Sequence, residues 1–171
     1  MSSDSEDVRD GSASICTHEE FAPIRYHWYP HNGETFAQAL RVMLAVSGLA
    51  PNDQSHVFSE VAARMKKLAL GKLRPTHHVK GPMETVTGID VFEVIVRSEV
   101  GEDEDPDALV RVYHAEPTKL RERGGSTIVG LHMHVKDVTD PAQVRRKQDK
   151  ELQEARRRYF DGQPSQWGFT P

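Results

Sequence analysis

Four side chains in the last third of the chain could exchange protons or bind anions at neutral pH. They are Arg111, Tyr113, His132 and His134. Histidine titrates near neutral pH and serves as a general acid or base, and an arginine guanidinium can hold two phosphate oxygens at once. Cleavage of RNA by its own 2′-hydroxyl needs a proton acceptor, a cation beside the phosphate and a proton donor for the leaving oxygen. The four residues therefore suit a phosphodiester substrate.

Basic residues close to these four in the sequence predict a surface that attracts RNA. We expect the following to contact it: Arg97, Lys136, Arg145, Arg146 and Lys147. Lys136 is expected to bind phosphate rather than to act as a base, because an exposed lysine stays protonated. A run of charge on a helix is commonly only its solvated face, so both roles stay open for the cations that follow residue 140.

Each of the four candidates also has an ordinary structural alternative. Arg111 can form a surface ion pair with Glu93, and Tyr113 can simply pack on the sheet. The two histidines can be polar residues on a solvated face. They also stand one residue apart, which is a spacing that metal ligands use. No third ligand is evident, since His114 is predicted to face inward, so we expect no metal and no other cofactor.

Alternating apolar and polar residues predict the strands that carry the candidates, at 24–29, 91–96, 109–115 and 127–135. On this pattern the four candidates share an open, polar face of the sheet. The opposite, buried face is predicted to include a run in the last strand: Val129, Leu131, Met133 and Val135.

Helical periodicity and capping residues predict three helices around the sheet. Two follow the first strand, from Phe36 to Gly48 and from Pro51 to Gly71, and form a hairpin. The third begins at Asp140-Pro141, an N-cap followed by proline. We therefore predict an α+β fold, with an antiparallel sheet of about four strands, an N-terminal helical hairpin and a C-terminal helix.

Charge is unevenly distributed along the 171 residues. The net charge is −4, yet residues 1–20 carry −5 and residues 99–107 carry −6, which leaves +7 on the other 142 residues. We predict an acidic disordered tail over 1–20, one domain over 21–162 and a short tail over 163–171. The single cysteine, Cys16, excludes an internal disulfide and is expected to be an inert thiol in a reducing cytoplasm. No apolar run is long enough to predict a membrane span.

The order of these segments resembles the RelE/HigB family of toxin ribonucleases, including its phage-borne members. Residues 21–162 are similar to that family, and its motifs correspond here to Val91-Phe92-Glu93-Val94-Ile95-Val96-Arg97, Val110-Arg111-Val112-Tyr113-His114, Leu131-His132-Met133-His134-Val135-Lys136-Asp137 and Thr139-Asp140-Pro141. Two positions depart from the family: Ile95 stands where an Arg is usual, and Asp137 replaces the second Lys of a pair.

The resemblance implies a function and partners. It implies a toxin of a toxin–antitoxin system that cleaves messenger RNA on the ribosome, with a helix-turn-helix antitoxin as its partner. The alternative is a non-catalytic protein of the same fold that binds and inhibits a host protein, which the departures at Ile95 and Asp137 favour.

Overall fold

The computed structural model describes residues 9–29, 33–98, 108–121, 125–136 and 141–169, with the backbone alone at 98, 108, 109, 121, 136 and 141–145. Within these residues the strands are β1 (Ile24–Trp28), β2 (Val79–Lys80), β3 (Val91–Ser98), β4 (Ala108–Ala115) and β5 (Ser126–Lys136). The helices are α1 (Phe36–Ala45), α2 (Pro51–Ala69), α3 (Thr118–Arg121) and α4 (Pro141–Gly162). Short 3₁₀ helices occupy Ile15–Thr17, Glu19–Phe21 and Gln163–Gly168.

The strands form one sheet in the order β1-β5-β4-β3-β2. β1 runs parallel to β5, and the other neighbours are antiparallel. The α+β class is confirmed, but the prediction of an antiparallel sheet of about four strands is wrong, since the sheet has five strands and is mixed. β2 spans two residues, too few to produce an alternating pattern. The sheet is mixed because β1 pairs with β5, to which it runs parallel, and not with β2, the strand that follows α2.

Local signals placed the longer elements correctly. α1 begins at a capping box, in which the Thr35 side chain accepts from the Gln38 backbone and the Gln38 side chain accepts from the Thr35 backbone. α2 begins with Pro51 at its first position, where the missing N–H costs nothing. α4 begins at Pro141, and its predicted cap, Asp140, lies outside the described residues. No helix in the described part of the chain is both long and apolar enough to cross a membrane.

Both faces of the sheet are covered. Helices α1 and α2 bury their apolar residues against one face, and the core there includes Leu40, Leu44, Val57, Val61, Val94 and Val112. α4 and the segment after it cover the other face, with a core that includes Tyr113, Leu131, Leu152, Ala155 and Trp167. The prediction that one face of the sheet is open is therefore wrong. α4 needs an apolar partner for its own buried stripe, and this face of the sheet supplies one.

The pairing of β4 with β5 contains a β-bulge. Tyr113 is opposite His132, whereas the next residue, His114, is opposite Gly130. Leu131 is thus the extra residue on β5, and it faces α4 together with His132. Gly130 leaves room for the Tyr26 ring, because a Cβ at Gly130 would overlap the Tyr26 hydroxyl.

The bulge divides the predicted apolar face of β5 in two. Val129 and Leu131 pack in the core under α4, and Met133 and Val135 pack on the side of α1 and α2. The prediction that all four share one face is wrong. Strict alternation fails here because an inserted residue exchanges the two faces of a strand.

The segments predicted as tails are structured where they are described. Residues 1–8 lie outside the described residues, but Ser14 and Cys16 are fully buried and the Leu73 backbone N–H donates to the Cys16 carbonyl over 3.0 Å. At the other end Trp167 is buried, and its indole N–H donates to the Tyr159 carbonyl over 2.9 Å. The packed unit therefore extends from 9 to 169, beyond the predicted 21–162. The acidic segment 99–107 lies outside the described residues.

Candidate functional site

The four predicted catalytic residues do lie together, on the α4 face of β4 and β5. Arg111 is opposite His134, and Tyr113 is opposite His132. The Tyr113 ring is nearly parallel to that of His132, with centroids 6.4 Å apart, and its edge meets His134 at 5.5 Å. The sequence therefore predicted the grouping, but α4 covers most of it.

Arg111 occupies its alternative role, an ion pair with Glu93, although in the core rather than on the surface. Its Nη1 lies 2.7 Å from Glu93 Oε1, and both residues are buried. Gln148 of α4 donates to the second oxygen of Glu93 over 3.0 Å. Glu93 is thus held from both the sheet and α4, and Arg111 pairs with it in the core instead of lying on an open face.

Tyr113 is fully buried, with its hydroxyl 3.4 Å from Nε2 of His134. Burial raises the pKa of Tyr113 well above its ordinary value, and the negative charge of Glu93 raises it further. The phenol therefore keeps its proton, and Tyr113 is a packing residue in contact with His134 rather than a base.

His134 is half-buried beside these groups. Burial lowers the pKa of His134 to about 4, and the positive charge of Arg111 acts in the same direction. Its Nδ1 is buried and has no hydrogen-bond partner within the described residues. His134 is therefore neutral at pH 7, so it is not an imidazolium that could act as a general acid there.

His132 differs from the other three because it is paired with an acid and reaches a surface cleft. Its Nε2 contacts Oε2 of Glu151 on α4. The hydrogen bond from His132 lowers the pKa of Glu151, so this carboxylate is ionised at neutral pH. Their side chains are 14% and 31% exposed, so the pair is partly open to solvent. A carboxylate that holds one imidazole nitrogen fixes the ring and leaves the other nitrogen for proton transfer.

The cleft beside His132 exists because β1 ends early. The last residue of β1, Trp28, is opposite Gly130, and among the described residues no strand pairs with that side of β5 beyond this point. A cavity of about 160 Å³ opens there, and its lining includes His132, Arg158, Glu34 and Met43. Arg158 donates to the Leu131 carbonyl over 3.1 Å. The cleft is smaller than the ~300 Å³ that small-molecule pockets usually exceed, and its lining is mostly apolar apart from His132, Arg158 and Glu34.

Comparisons with known protein families, with curated proteins and with solved structures find no match to this chain. The likeness to RelE/HigB proteins therefore stays a prediction, and function has to be argued from the geometry. Within that geometry the pair of His132 and Glu151, with Arg158 nearby, combines acid–base capacity, a cation and access to solvent.

The sequence did not single out Glu151 or Gln148, although a signal was present. Gln148, Glu151, Leu152 and Ala155 follow the helical spacing of one face. Leu152 and Ala155 are buried against the sheet, so the polar pair shares the inward stripe. Two polar residues on such a stripe predict polar partners on the opposing strand, and Glu93 and His132 are those partners.

The predicted RNA-binding cations divide into two groups. Arg97, Arg146 and Lys147 are exposed, as expected for a binding role. The side chains of Lys136 and Arg145 lie outside the described residues. Three further arginines of α4 have local partners. Arg156 donates to the Thr87 carbonyl, and Arg157 pairs with Glu154. Arg158 donates to the Leu131 carbonyl and to Glu154.

A second group of chemically active side chains lies at the far end of β4, on the opposite face of the sheet. Atoms of Cys16, His114 and Glu116 that can bind metal ions lie within 4.8 Å of one another. Burial raises the pKa of the Cys16 thiol far above its ordinary value. A cavity of about 540 Å³ near this end is lined by Glu116, Tyr159 and Trp167 among others, and by none of the four predicted catalytic residues.

Proposed function

We propose that the protein is an endoribonuclease of the toxin type, whose proton-transfer pair is His132 and Glu151. The observation that carries the proposal is that Glu151 holds Nε2 of His132 while the ring borders a cleft that also contains Arg158. Of the four predicted catalytic residues, His132 alone has both an acidic partner and a place in that cleft. Arg111 and Tyr113 contribute by holding the sheet and α4 together.

The proposed chemistry is transfer of an RNA phosphate to its own 2′-hydroxyl. Nδ1 of His132 takes the hydroxyl proton, and the 2′-oxygen attacks phosphorus to give a cyclic phosphate. Glu151 stabilises the imidazolium formed in this step. The guanidinium of Arg158, which borders the cleft and is held by Glu154 and the Leu131 carbonyl, would supply the cation beside the crowded phosphate. The imidazolium then returns its proton to the departing 5′-oxygen, so the ring ends neutral.

Charge on α4 supports a nucleic-acid substrate. Arg146, Lys147 and Lys150 are exposed on this helix, and clustered cations attract a phosphate backbone through release of its counterions. The resemblance to RelE/HigB toxins supports the finer proposals: messenger RNA and the ribosome as partners, a helix-turn-helix antitoxin, a cytoplasmic location and a phage origin.

The test is RNA cleavage by the purified full chain, with and without ribosomes. His132→Ala should lower the cleavage rate roughly 10²–10⁴-fold, the usual contribution of a general base. His134→Ala should have a much smaller effect, because that ring is half-buried and does not line the cleft. The matched control is His56→Ala, an exposed histidine on α2. Equal rates for the parent and His132→Ala would remove the catalytic assignment.

The burial of Arg111 and Tyr113 favours a second candidate function. A non-catalytic protein that binds and inhibits a host protein would use these residues only to hold its fold. Induced expression in a bacterial host separates the two functions. Growth arrest with intact messenger RNA, unchanged by His132→Ala, is expected for the binding protein. Growth arrest with cleaved messenger RNA, abolished by His132→Ala, is expected for the enzyme.

A further inference from the structure

Three buried side chains from distant parts of the sequence meet where β4 ends. Nε2 of His114 lies 2.8 Å from Oε2 of Glu116 and 4.0 Å from Sγ of Cys16. Cys16 and His114 are fully buried. His114 faces the core shared with α1 and α2, and it is paired with Gly130 rather than with the residues of the His132 cleft. The cluster is therefore separate from the proposed active site.

Surrounding contacts hold two of the three side chains, those of His114 and Glu116, in place. The ring of Phe92 stacks on that of His114, with centroids 5.6 Å apart. Glu116 Oε1 accepts from the backbone N–H of Ile15 over 2.9 Å, and its Oε2 accepts from the Ser14 hydroxyl over 2.5 Å. The donor atoms thus converge without any rearrangement of the backbone.

Hydrogen bonding alone does not engage all three side chains of this cluster. The N–H at Nε2 of His114 can be donated to Glu116, which leaves the Cys16 sulfur at the 4.0 Å limit of a contact. A divalent ion between the three atoms would bind all of them at once. Zinc–ligand lengths of ~2.0–2.3 Å in a tetrahedral site place the donor atoms ~3.4–3.6 Å apart. The two distances on His114 fall on either side of that value, so binding would need only small movements of the three side chains.

We propose that Cys16, His114 and Glu116 bind one divalent ion of the zinc class. A thiolate, an imidazole and a carboxylate together favour zinc over magnesium or calcium, which prefer oxygen ligands alone. The buried Ser14 hydroxyl, 2.5 Å from Oε2 of Glu116, is a further oxygen beside the site that could take the fourth position. This site differs from the His132/His134 pair, for which no metal was expected.

Burial gives the ion a structural role. A closed zinc site stabilises the folded chain outright, whereas a catalytic one keeps a position open to substrate. Here the ion would join the 3₁₀ helix Ile15–Thr17 to the end of β4, roughly a hundred residues away in the sequence. The N-terminal segment would then be held by a metal cross-link as well as by its backbone hydrogen bonds.

Cobalt(II) titration of the chelator-treated full chain tests the proposal. Cobalt bound to a thiolate shows a charge-transfer band in the near ultraviolet, and the chain has one cysteine, so the band reports Cys16. The expected result is a band that saturates at one cobalt per chain and is displaced by zinc. Absence of the band in the parent chain, or saturation at one cobalt per two chains, would overturn the proposal without recourse to any variant.

Variants identify the ligands. Cys16→Ser should abolish the band, and His114→Gln should weaken cobalt binding at least tenfold. The matched control is His18→Gln, an exposed histidine two residues from Cys16, which should bind cobalt as the parent does. Zinc should raise the melting temperature of the parent and the control but not of Cys16→Ser. A melting temperature that zinc leaves unchanged in the parent would exclude the structural role.

Discussion

Arg111 of β4 and Glu93 of β3 form an ion pair, 2.7 Å long, that lies beneath α4. In the strand register Glu93 is opposite Tyr113 and Arg111 is opposite Ile95, so the pair runs diagonally across the two strands. Both partners are almost fully buried. A residue predicted as a phosphate ligand is thus part of the core, and its substitution should affect folding first.

Arg111→Ala should therefore destabilise the protein. Removing one partner of a buried ion pair leaves the other charge uncompensated and typically costs ~3–5 kcal/mol. Urea denaturation followed by circular dichroism measures the free energy of unfolding. A double variant, Arg111→Met with Glu93→Gln, should recover much of the loss, because no charge is left buried. A loss below ~0.5 kcal/mol for Arg111→Ala, a value typical of surface sites, would show that the pair does not contribute to stability.

The half-buried His134 predicts how stability depends on pH. Its pKa in the folded chain is about 4 rather than 6.5, because burial disfavours the charged ring. As pH falls below 6.5 the unfolded chain binds a proton that the folded chain does not, so stability decreases down to about pH 4. One proton corresponds to a slope of at most ~1.4 kcal/mol per pH unit. Urea denaturation at a series of pH values measures this slope.

His134→Gln should reduce that slope without abolishing it, because glutamine does not titrate, whereas His78, whose pKa is also lowered by burial to about 4, still does. His56→Gln on the surface of α2 is the matched control and should keep the parent slope. A slope that is the same in the parent and in His134→Gln would mean that this ring is not the titrating group. Stability should also decrease below about pH 4 for a different reason. Glu154, whose pKa the contact with Arg157 lowers to about 2, becomes protonated there and loses that contact.

Gly130→Ala should destabilise the protein by roughly 1–3 kcal/mol through overpacking. The added methyl group would overlap the hydroxyl end of Tyr26, whose ring is held against Phe36 with centroids 5.3 Å apart. Thermal or urea unfolding measures the effect. Gly125→Ala is the control, since a Cβ there has no neighbour within 4 Å. Combining Gly130→Ala with Tyr26→Leu should cost less than the two separate effects added together, and strict additivity would argue against the contact.

Exposed cations on α4 should set the salt dependence of RNA binding. Arg146→Ala and Lys150→Ala should each weaken binding at low salt and reduce the slope of log affinity against log salt by ~0.7, the value for one phosphate contact on a single strand. Fluorescence anisotropy with a labelled RNA across a salt series measures both quantities. Lys66→Ala, an exposed lysine near the end of α2, should leave them unchanged. An equal effect of all three variants would indicate attraction by net charge rather than a surface on α4.

The parts of the fold that local sequence controls were predicted well. Strands β3, β4 and β5 lie within two residues of their predicted limits, because apolar residues recur there with a strand's period. The starts of α1 and α2 follow from Thr35 and Pro51, whose effects act within one turn. The grouping of the four candidate residues was also correct, since it depends only on neighbouring strands that pair.

The parts that depend on distant segments were not predicted. Whether α4 covers a sheet face depends on residues such as Leu152 finding a partner across the fold, which periodicity alone does not show. The bulge at Leu131 has no local signature, and it moved Val129 to the α4 side of the sheet. The acid that partners His132 was missed for the same reason, because Glu151 reaches it only when α4 packs on the sheet.

The parallel pairing of β1 with β5 has a consequence for how the chain folds. Ile24 is opposite Ser126, so β1 gains its hydrogen-bond partners only after about a hundred further residues have been synthesised. Contacts between residues so far apart in the sequence form slowly, and a strand edge that is still unpaired can associate with other chains in the meantime. During translation the helices α1 and α2 can form early, but β1 stays exposed until the last strand leaves the ribosome. Slow synthesis upstream of β5 would therefore favour aggregation over productive folding.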